Sequence, residues 1–527
     1  MITEANSTEL NYGEADVCII GAGAAGIALA VLLARQGRHV VLLEQGGFAA
    51  TANDRPIHQV LPGPTVSLGP SCEFGYFLGG NTNHWYGNCR PLDPTDLVAR
   101  SEIGLDGWPL EPSDLDAHYP AAQSLLGLGS VEVYDASRSA ALLDDDHQPV
   151  SSSILETRIV QTTPEFSMAV LHGATLADSE DIHVVLGVRV RGVIHSGSTV
   201  TGVVASRSDG TSVDIRARHY VLAGGGVENA RMLLESSTLL DGDDRPSTEV
   251  VGRYFQEHWY YAFETRKTHR RRKAGSLRLY DVGNSRDLSS LADYRQNVGD
   301  AHVWAQLVLS PSEAARLATP GLALWFQPSW IAPPELTDLK NSHGNPVAVW
   351  NALKKIARHP LQNCEYVARK AMRDKHPSRF LTLIAQVEQL PDPANRLNFA
   401  ETGATLHLEL DKRQREAHAI AIQRAVDELG FDGAALAAEM ERKYERGDFD
   451  YFWHHMGTTR MGTDPASSVV DSNCRVHGMA NLFIAGSSVF PTSGTAGPTL
   501  TIVALAARLA QHIGSLEDFT DKEATAS

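Results

Sequence analysis

Residues 17–34 form an uncharged run of 18 positions that begins Val17-Cys-Ile-Ile-Gly-Ala-Gly-Ala-Ala-Gly. Its length meets the criterion for a membrane helix. Gly21, Gly23 and Gly26 interrupt it where a strand should turn into a helix, so the pattern predicts a buried strand, a helix over 27–35 and a second strand over 39–43. Farther along, Tyr220-Val-Leu-Ala reads as a short buried strand before a glycine-rich turn, with helical spacing over 227–234. Residues 183–190 and 199–204 cluster β-branched side chains as a hairpin would. A strand is expected at 482–485 after a turn organised by Asp471, and an apolar, alanine-rich helix over 498–513. No internal repeat or low-complexity tract stands out apart from a polar tail after Leu516.

The first of these segments is a GxGxxG pattern in its required setting of strand, turn and helix. Gly21 permits the tight turn, Gly23 lets the backbone approach a pyrophosphate, and Gly26 lets helix and strand pack closely; Ala24 and Ala25 open the helix whose amide donors would hold the phosphates. Glu44 ends the second strand 18 residues past Gly26, where a carboxylate can accept hydrogen bonds from a ribose. An acid at that place favours FAD or NAD over NADP. The competing reading is a glycine-rich βα turn that binds nothing.

Composition narrows the classes. At 527 residues the chain exceeds one ordinary domain and favours two or three units with large cores. With 46 Lys+Arg against 63 Asp+Glu the formal charge is −17, so attraction to phosphate backbones cannot drive binding over most of the surface. Nucleic acid is thereby set aside as a partner, and a cationic small molecule would be attracted. Five scattered cysteines without a CxxC pair argue against zinc or a disulfide framework, and no metal site is expected. The start Met1-Ile-Thr-Glu lacks a basic, apolar secretory pattern; together with the cysteines this gives the expectation of a cytoplasmic protein without a transmembrane segment.

Three more segments recur in a telling order: Leu78-Gly-Gly-Asn-Thr-Asn-His-Trp, Tyr220-Val-Leu-Ala-Gly-Gly-Gly-Val-Glu-Asn-Ala-Arg, and His454-His-Met-Gly-Thr-Thr-Arg-Met-Gly followed by Asn481-Leu-Phe-Ile-Ala-Gly-Ser-Ser. With the N-terminal fingerprint, they resemble the glucose–methanol–choline oxidoreductases, FAD-dependent alcohol oxidases and dehydrogenases, from about 16 to about 513 and least between 264 and 378. The resemblance implies an α/β fold: a Rossmann-like FAD-binding domain in discontinuous segments, 1–265 and 450–515, around an inserted sheet-and-helix (α+β) substrate-binding domain, 266–449, with 516–527 as a tail. It implies that Gly79, Gly80 and Asn83 lie against the flavin, that Val190 belongs to a unit covering the adenine, and that Ala223, Gly224, Gly225, Asn229, Gly486, Ser487, Pro498 and Thr499 complete the cofactor site. His84 falls where some members bond covalently to FAD and others keep an unbonded histidine; non-covalent FAD is favoured.

The same resemblance puts His454 on the family's catalytic histidine, an imidazole able to take a hydroxyl proton as hydride leaves the carbinol. His455 is the adjacent alternative, and Trp453 a candidate apolar wall. Where the family has His or Asn before the last proline, this chain has Gly497. A glycine offers no side-chain donor to a developing alkoxide. A donor from elsewhere, space for a bulkier substrate, and altered chemistry all stand open.

Between the two halves, the run Arg266-Lys-Thr-His-Arg-Arg-Arg-Lys reads as a solvated loop. Trp325, Phe326, Trp330 and Trp350, with Pro328, Pro333 and Pro334, read either as a lid or pocket wall or as core packing; the stretch Thr382-Leu-Ile-Ala-Gln-Val-Glu-Gln-Leu-Pro resembles the family's substrate-domain strand, which implies that Glu388 and Gln389 face the pocket. The expected function is FAD-dependent oxidation of an alcohol group of a sugar, an amino sugar such as an aminoglycoside precursor, or a similar polyol, in some cases on to the acid. Oxygen or an electron-acceptor protein would close the cycle. The alternatives are a redox-neutral flavin lyase or isomerase on the same fold, and an oxidase of a bulkier non-sugar alcohol.

Overall fold

The computed structural model describes residues 2–4, 15–49, 75–143, 148–150, 152–207, 209–242, 244–265, 279–280, 296–328, 346–358, 381–400, 403–447, 449–451 and 454–517, with a few isolated positions between 336 and 368. Trp330, Pro333, Pro334, Trp453, the basic run at 266–273 and the tail from 518 lie outside the described residues.

Six parallel strands make the first sheet: β1 Ile2–Glu4, β2 Ala15–Ile20, β3 Val40–Glu44, β4 Ile182–Leu186, β5 Ala217–Leu222 and β6 Leu482–Ile484, in the order β1-β4-β3-β2-β5-β6. Every described side chain of β3, and of β2 except Asp16, is buried, as parallel strands covered on both faces require. Helices α1 Ala24–Ala34 and α3 Thr499–Glu517 pack on each other beside this sheet, and α2 Gly225–Glu235 follows β5. The fold class therefore matches the sequence expectation at this sheet. The segment 499–516 is long and apolar enough to cross a membrane, yet Leu500, Val503, Ala504 and Leu505 are buried within the protein.

A second, largely antiparallel sheet carries the other half of the molecule. Its order runs Asp450–Tyr451, His258–Thr265, Leu381–Glu388, Leu322–Pro328, Ala301–Leu309, Leu155–Thr162 and Asn88–Cys89, with Gln296–Val298 beside Ala301–Leu309. Strands from 88–89, 155–162 and 258–265 thus join this sheet, so the division at 265/266 does not coincide with the sheet boundary. The reason is geometric: an antiparallel sheet gathers its edge strands through long crossings that hydrophobic patterning does not encode.

The expected hairpin at 183–190 and 199–204 is displaced. Gly187 sits at φ 75°, in the left-handed region that ends a strand, and donates its N–H to Gly46 at 3.0 Å. What precedes it, β4, is absorbed into the parallel sheet, and the hairpin proper pairs Val188–Ser196 with Thr199–Arg207. The aromatic stretch also divides: Phe326 lies in the main core, Trp325 in a small cluster with Val160, Trp304 and Ile384, and Trp350 is 60% exposed.

Candidate active site

The C-terminal ends of β3, β2, β5 and β6 lie side by side, with Leu43 paired to Ile20, Ile20 to Leu222 and Leu222 to Ile484. The segments leaving them are held together by backbone bonds: Gly21 N–H to Leu43 O at 2.8 Å, Ala223 N–H to Ile20 O at 2.7 Å, and Ala485 N–H to Leu222 O at 2.8 Å. This is the end of an open α/β sheet at which ligands bind. Gly21 is at φ 111°, and a Cβ there would come within 2.5 Å of Ala223 O. A Cβ on Gly26 would come within 1.9 Å of Gly21 O, so that glycine is demanded by packing. Gly23 differs: a Cβ would meet no protein atom within 4 Å, and its φ of −86° suits any residue.

A dinucleotide fits this arrangement. Gly23 is the N-cap of α1 and supplies no side-chain cap, so the orphan N–H groups of the first turn sit beside an open cradle. The 3₁₀ turn Gly80–Asn83 approaches from one side: Gly79 N–H bonds Ala22 O at 2.9 Å, and a Cβ on Gly80 would lie 3.0 Å from the Gly23 Cα. Glu44 is 7% exposed and accepts N–H from Ala22 and from Gly46, each at 3.0 Å. A carboxylate has about four lone-pair sites, enough in kind to accept from a ribose as well as from backbone N–H groups.

Several sequence candidates turn out to organise the site through the protein itself. Asn83 donates to Leu78 O and Gly80 O at 3.0 and 2.9 Å and accepts from Ser167 at 2.6 Å. Asn229, fully buried, accepts from Gly224 N–H at 2.8 Å and donates to Ala485 O and Ser488 Oγ at 3.3 and 2.9 Å, stitching α2 to the segment after β6. Ser487 donates to His455 O at 2.7 Å. Gly225 is at φ 77° with open space around it, and Gly486 likewise at φ 120°. Val190 is buried at a bulge of the hairpin, Pro498 and Thr499 start α3, and His84 is exposed, its ring edge-on to Phe77 at 5.7 Å.

The histidine motif runs antiparallel against 256–258, with Gln256 paired to Met456. This places His454 Nδ1 2.9 Å from Nδ1 of His258, a residue with no solvent exposure at the start of the His258–Thr265 strand. His258 Nε2 lies 3.2 Å from the Ser493 carbonyl, in the loop that carries Gly497. Glu257 accepts the His454 backbone N–H at 2.8 Å and lies 3.7 Å from His455 Nε2. His455 is therefore directed at Glu257 and packs on Phe255 at 5.5 Å. Burial, then the neighbouring His258 and His455 rings, holds the His454 imidazole well below 6.5. Burial also pushes His258 down to about 4. Both rings are neutral at neutral pH.

Sequence reasoning missed His258 and Glu257; the signal was a Glu-His pair opening an aromatic strand. It also placed Glu388 and Gln389 facing a pocket, which the structure corrects. Both are fully buried: Glu388 is held by Arg100 in two bonds of 2.6 and 2.7 Å and by the N–H groups of Gly321 and Gly494, while Gln389 bonds Glu257 N–H and Trp259. Burial works to raise the Glu388 carboxyl, but the Arg100 guanidinium and the two N–H groups hold it below the usual range. Asp96 alongside is pushed up to about 7 by burial and by the Asp93 and Glu388 charges. Gly497 is not demanded by packing: a Cβ there would make an ordinary contact, 3.5 Å from Asn88 O. Among the described residues no three His, Cys, Asp or Glu side chains gather as a metal site.

A parallel sheet with a dinucleotide cradle, an antiparallel second sheet and a buried histidine pair at the start of its His258–Thr265 strand suit an oxidoreductase that acts on alcohols, and the comparisons with known proteins support that class. Residues 375–506 match the model described as GMC oxidoreductase, and 19–87 that of the NAD(P)-binding Rossmann-like domain. Over residues 375–506 the chain is thus similar to the glucose–methanol–choline oxidoreductases. It is 23% identical to the C-glycoside 3-oxidase of Microbacterium trichothecenolyticum over 84% of this chain and 76% of that protein. It is 24% identical to the 6'''-hydroxyparomomycin C oxidase of Streptomyces lividus over 95% and 91%. The paromamine 6'-oxidase of Streptomyces fradiae is also 24% identical, over 94% and 91%. Among solved structures, pyridoxine 4-oxidase from Mesorbium loti shares the fold, with a TM-score of 0.56 and 17% identity over 95% of this chain and 99% of the other.

Proposed function

We propose that the protein is an FAD-dependent enzyme that oxidises an alcohol group of a sugar or amino sugar to the carbonyl, with His454 as general base. The observation that carries this is the His454–His258 pair, a neutral imidazole held by a second one at 2.9 Å beside the loop 493–497. FAD supplies the hydride acceptor when bound. Gly21, Gly23 and Gly26, Glu44, Gly79 and Gly80, and the turns at 223–225 and 486–487 would hold it, without a covalent bond to His84. His454 takes the hydroxyl proton as the carbonyl forms; its depressed pKa keeps it unprotonated, and so competent, over the neutral range.

Gly497 bears on the substrate. Since a Cβ fits there, glycine serves the space in front of Asn88 O rather than the packing, which supports a substrate larger than a simple alcohol. Relatives named for C-glycosides and aminoglycosides support the sugar class, and the charge of −17 supports an amino sugar over a neutral one. Oxygen or an electron-acceptor protein reoxidises the cofactor.

The test is His454→Ala: flavin stays bound and its reduction by substrate is lost, whereas unchanged reduction kinetics would reject the base. Acid denaturation checks the cofactor linkage, with all yellow colour expected in the supernatant.

A further inference from the structure

Two neutral imidazoles joined through their Nδ1 atoms leave one proton between them, so one ring must donate and the other accept. The third partner decides which. His258 Nε2 faces the Ser493 carbonyl at 3.2 Å, and a carbonyl only accepts, so His258 carries its proton on Nε2. Its Nδ1 is then a lone pair, and the 2.9 Å contact is a bond donated by His454 Nδ1–H. His454 in turn presents its lone pair on Nε2. From these contacts we infer that His258 is a positioning residue for the oxidation: it fixes His454 in the tautomer whose Nε2 is the base, and shares the proton that base removes. The inference rests on the reading of His454 as base.

The substrate O–H bond breaks as His454 Nε2–H forms, and the carbinol C–H bond gives up its hydride, electron pair included, to the acceptor that bound FAD would supply. The resulting imidazolium already donates Nδ1–H to His258, so the proton can move across that bond, breaking His454 Nδ1–H and forming His258 Nδ1–H. His258 then holds two N–H groups, one still on Ser493 O. The Glu257 carboxylate accepts the backbone N–H of His454 at 2.8 Å and of His258 at 3.3 Å, and so ties together the two backbone segments that carry the rings. The other groups acting on His258 are the Glu388 charge, which favours its cation, and Arg90, which opposes it. The ordinary alternative, a doubly protonated His258, would force His454 to accept on Nδ1 and carry its proton on Nε2, where it could not act as a base; complete burial of His258 disfavours that state.

His258→Phe keeps an aromatic ring and removes both nitrogens, while His258→Gln keeps an acceptor for His454 and a donor for Ser493. In anaerobic stopped-flow on the flavin-loaded enzymes, the Phe variant should reduce its flavin about 100-fold more slowly at unchanged flavin content, the lower end of what a positioned base contributes. The Gln variant should recover to within about tenfold of wild type. A Phe variant within threefold of wild type, or Phe and Gln variants equally slow, overturns the inference. If His454→Ala retains reduction, the general-base reading itself fails; if only His258→Phe does, the base stands and the positioning role falls. Nitrogen-15 NMR of the wild-type holoenzyme, with His454 assigned by difference against His454→Asn, reads the tautomer directly. Nδ1 protonated and Nε2 bare is expected, and the reverse overturns the inference.

Discussion

Gly23 and Gly26 belong to one motif, yet the structure gives them opposite reasons for being glycine, and alanine substitution separates the two. At Gly26 an added methyl would sit 1.9 Å from Gly21 O, a backbone atom that cannot swing aside. Relieving it requires the β2–α1 turn to open by roughly 1 Å, an overpacking cost of about 1–3 kcal/mol or more. At Gly23 the methyl meets nothing within 4 Å and φ is −86°. The apoprotein should gain about 0.4–1 kcal/mol from a stiffer unfolded chain. It should lose a few tenths because alanine caps a helix less well than glycine. Net stability then stays within about 0.5 kcal/mol of wild type. What Gly23→Ala loses is cofactor: displacing one N–H···phosphate bond costs about 1.5–3 kcal/mol, or roughly 10- to 100-fold in the dissociation constant. Urea unfolding of both apoproteins and fluorescence titration with FAD measure the two quantities independently. Wild-type FAD affinity in Gly23→Ala, or full stability in Gly26→Ala, would refute the reasoning.

Gly497→Asn should fold with stability within about 0.5 kcal/mol of wild type, since its Cβ has room; reduction by a sugar-sized substrate should fall about 100-fold while small alcohols are spared, and a gain on the sugar would instead show that a donor was missing. Glu388→Leu leaves the Arg100 guanidinium buried without its carboxylate and should cost about 3–5 kcal/mol in urea unfolding, most of it recovered in the Arg100→Leu, Glu388→Leu double variant. His258 and His418 are both pushed down to about 4, so the unfolded chain binds their protons first as pH falls; their stability is complete above about 6.5 and lost between there and 4, about 3 kcal/mol for each. Asp96, pushed up to about 7, has the opposite sign and favours the folded state at low pH, so the readout is the difference between wild type and His418→Gln, which should show a flatter loss between pH 6.5 and 4.

The cofactor end of the molecule was legible because its constraints are local. A glycine at φ 111° or one overlapped by a neighbouring carbonyl is written into a stretch of six residues, and the flanking apolar strand and helix confirm it. His454 is proposed as the base on its motif. His258 was not legible: a histidine opening an aromatic strand reads as core, and its partner lies 196 positions away, joined only when the antiparallel sheet closes. Arg100 and Glu388 are 288 positions apart, so Glu388 looked like a pocket residue when its carboxylate is in fact spent on an ion pair and two backbone N–H groups. Asn229, expected at the cofactor, has protein partners that stayed hidden for a related reason. Its place beside the glycine turn is local, while its three partners are divided between Gly224 and the distant 485–488 segment.

The central claim is that a neutral His454 base coupled to a bound flavin oxidises an alcohol. Anaerobic mixing of the holoenzyme with a panel of sugars, amino sugars and simple alcohols, in wild type and His454→Ala, tests it most directly. Bleaching of the oxidised flavin by one or more sugars or amino sugars in wild type, and its loss in the variant, is the predicted result. Turnover of an alcohol without bleaching, or bleaching at equal rates in both proteins, would contradict it.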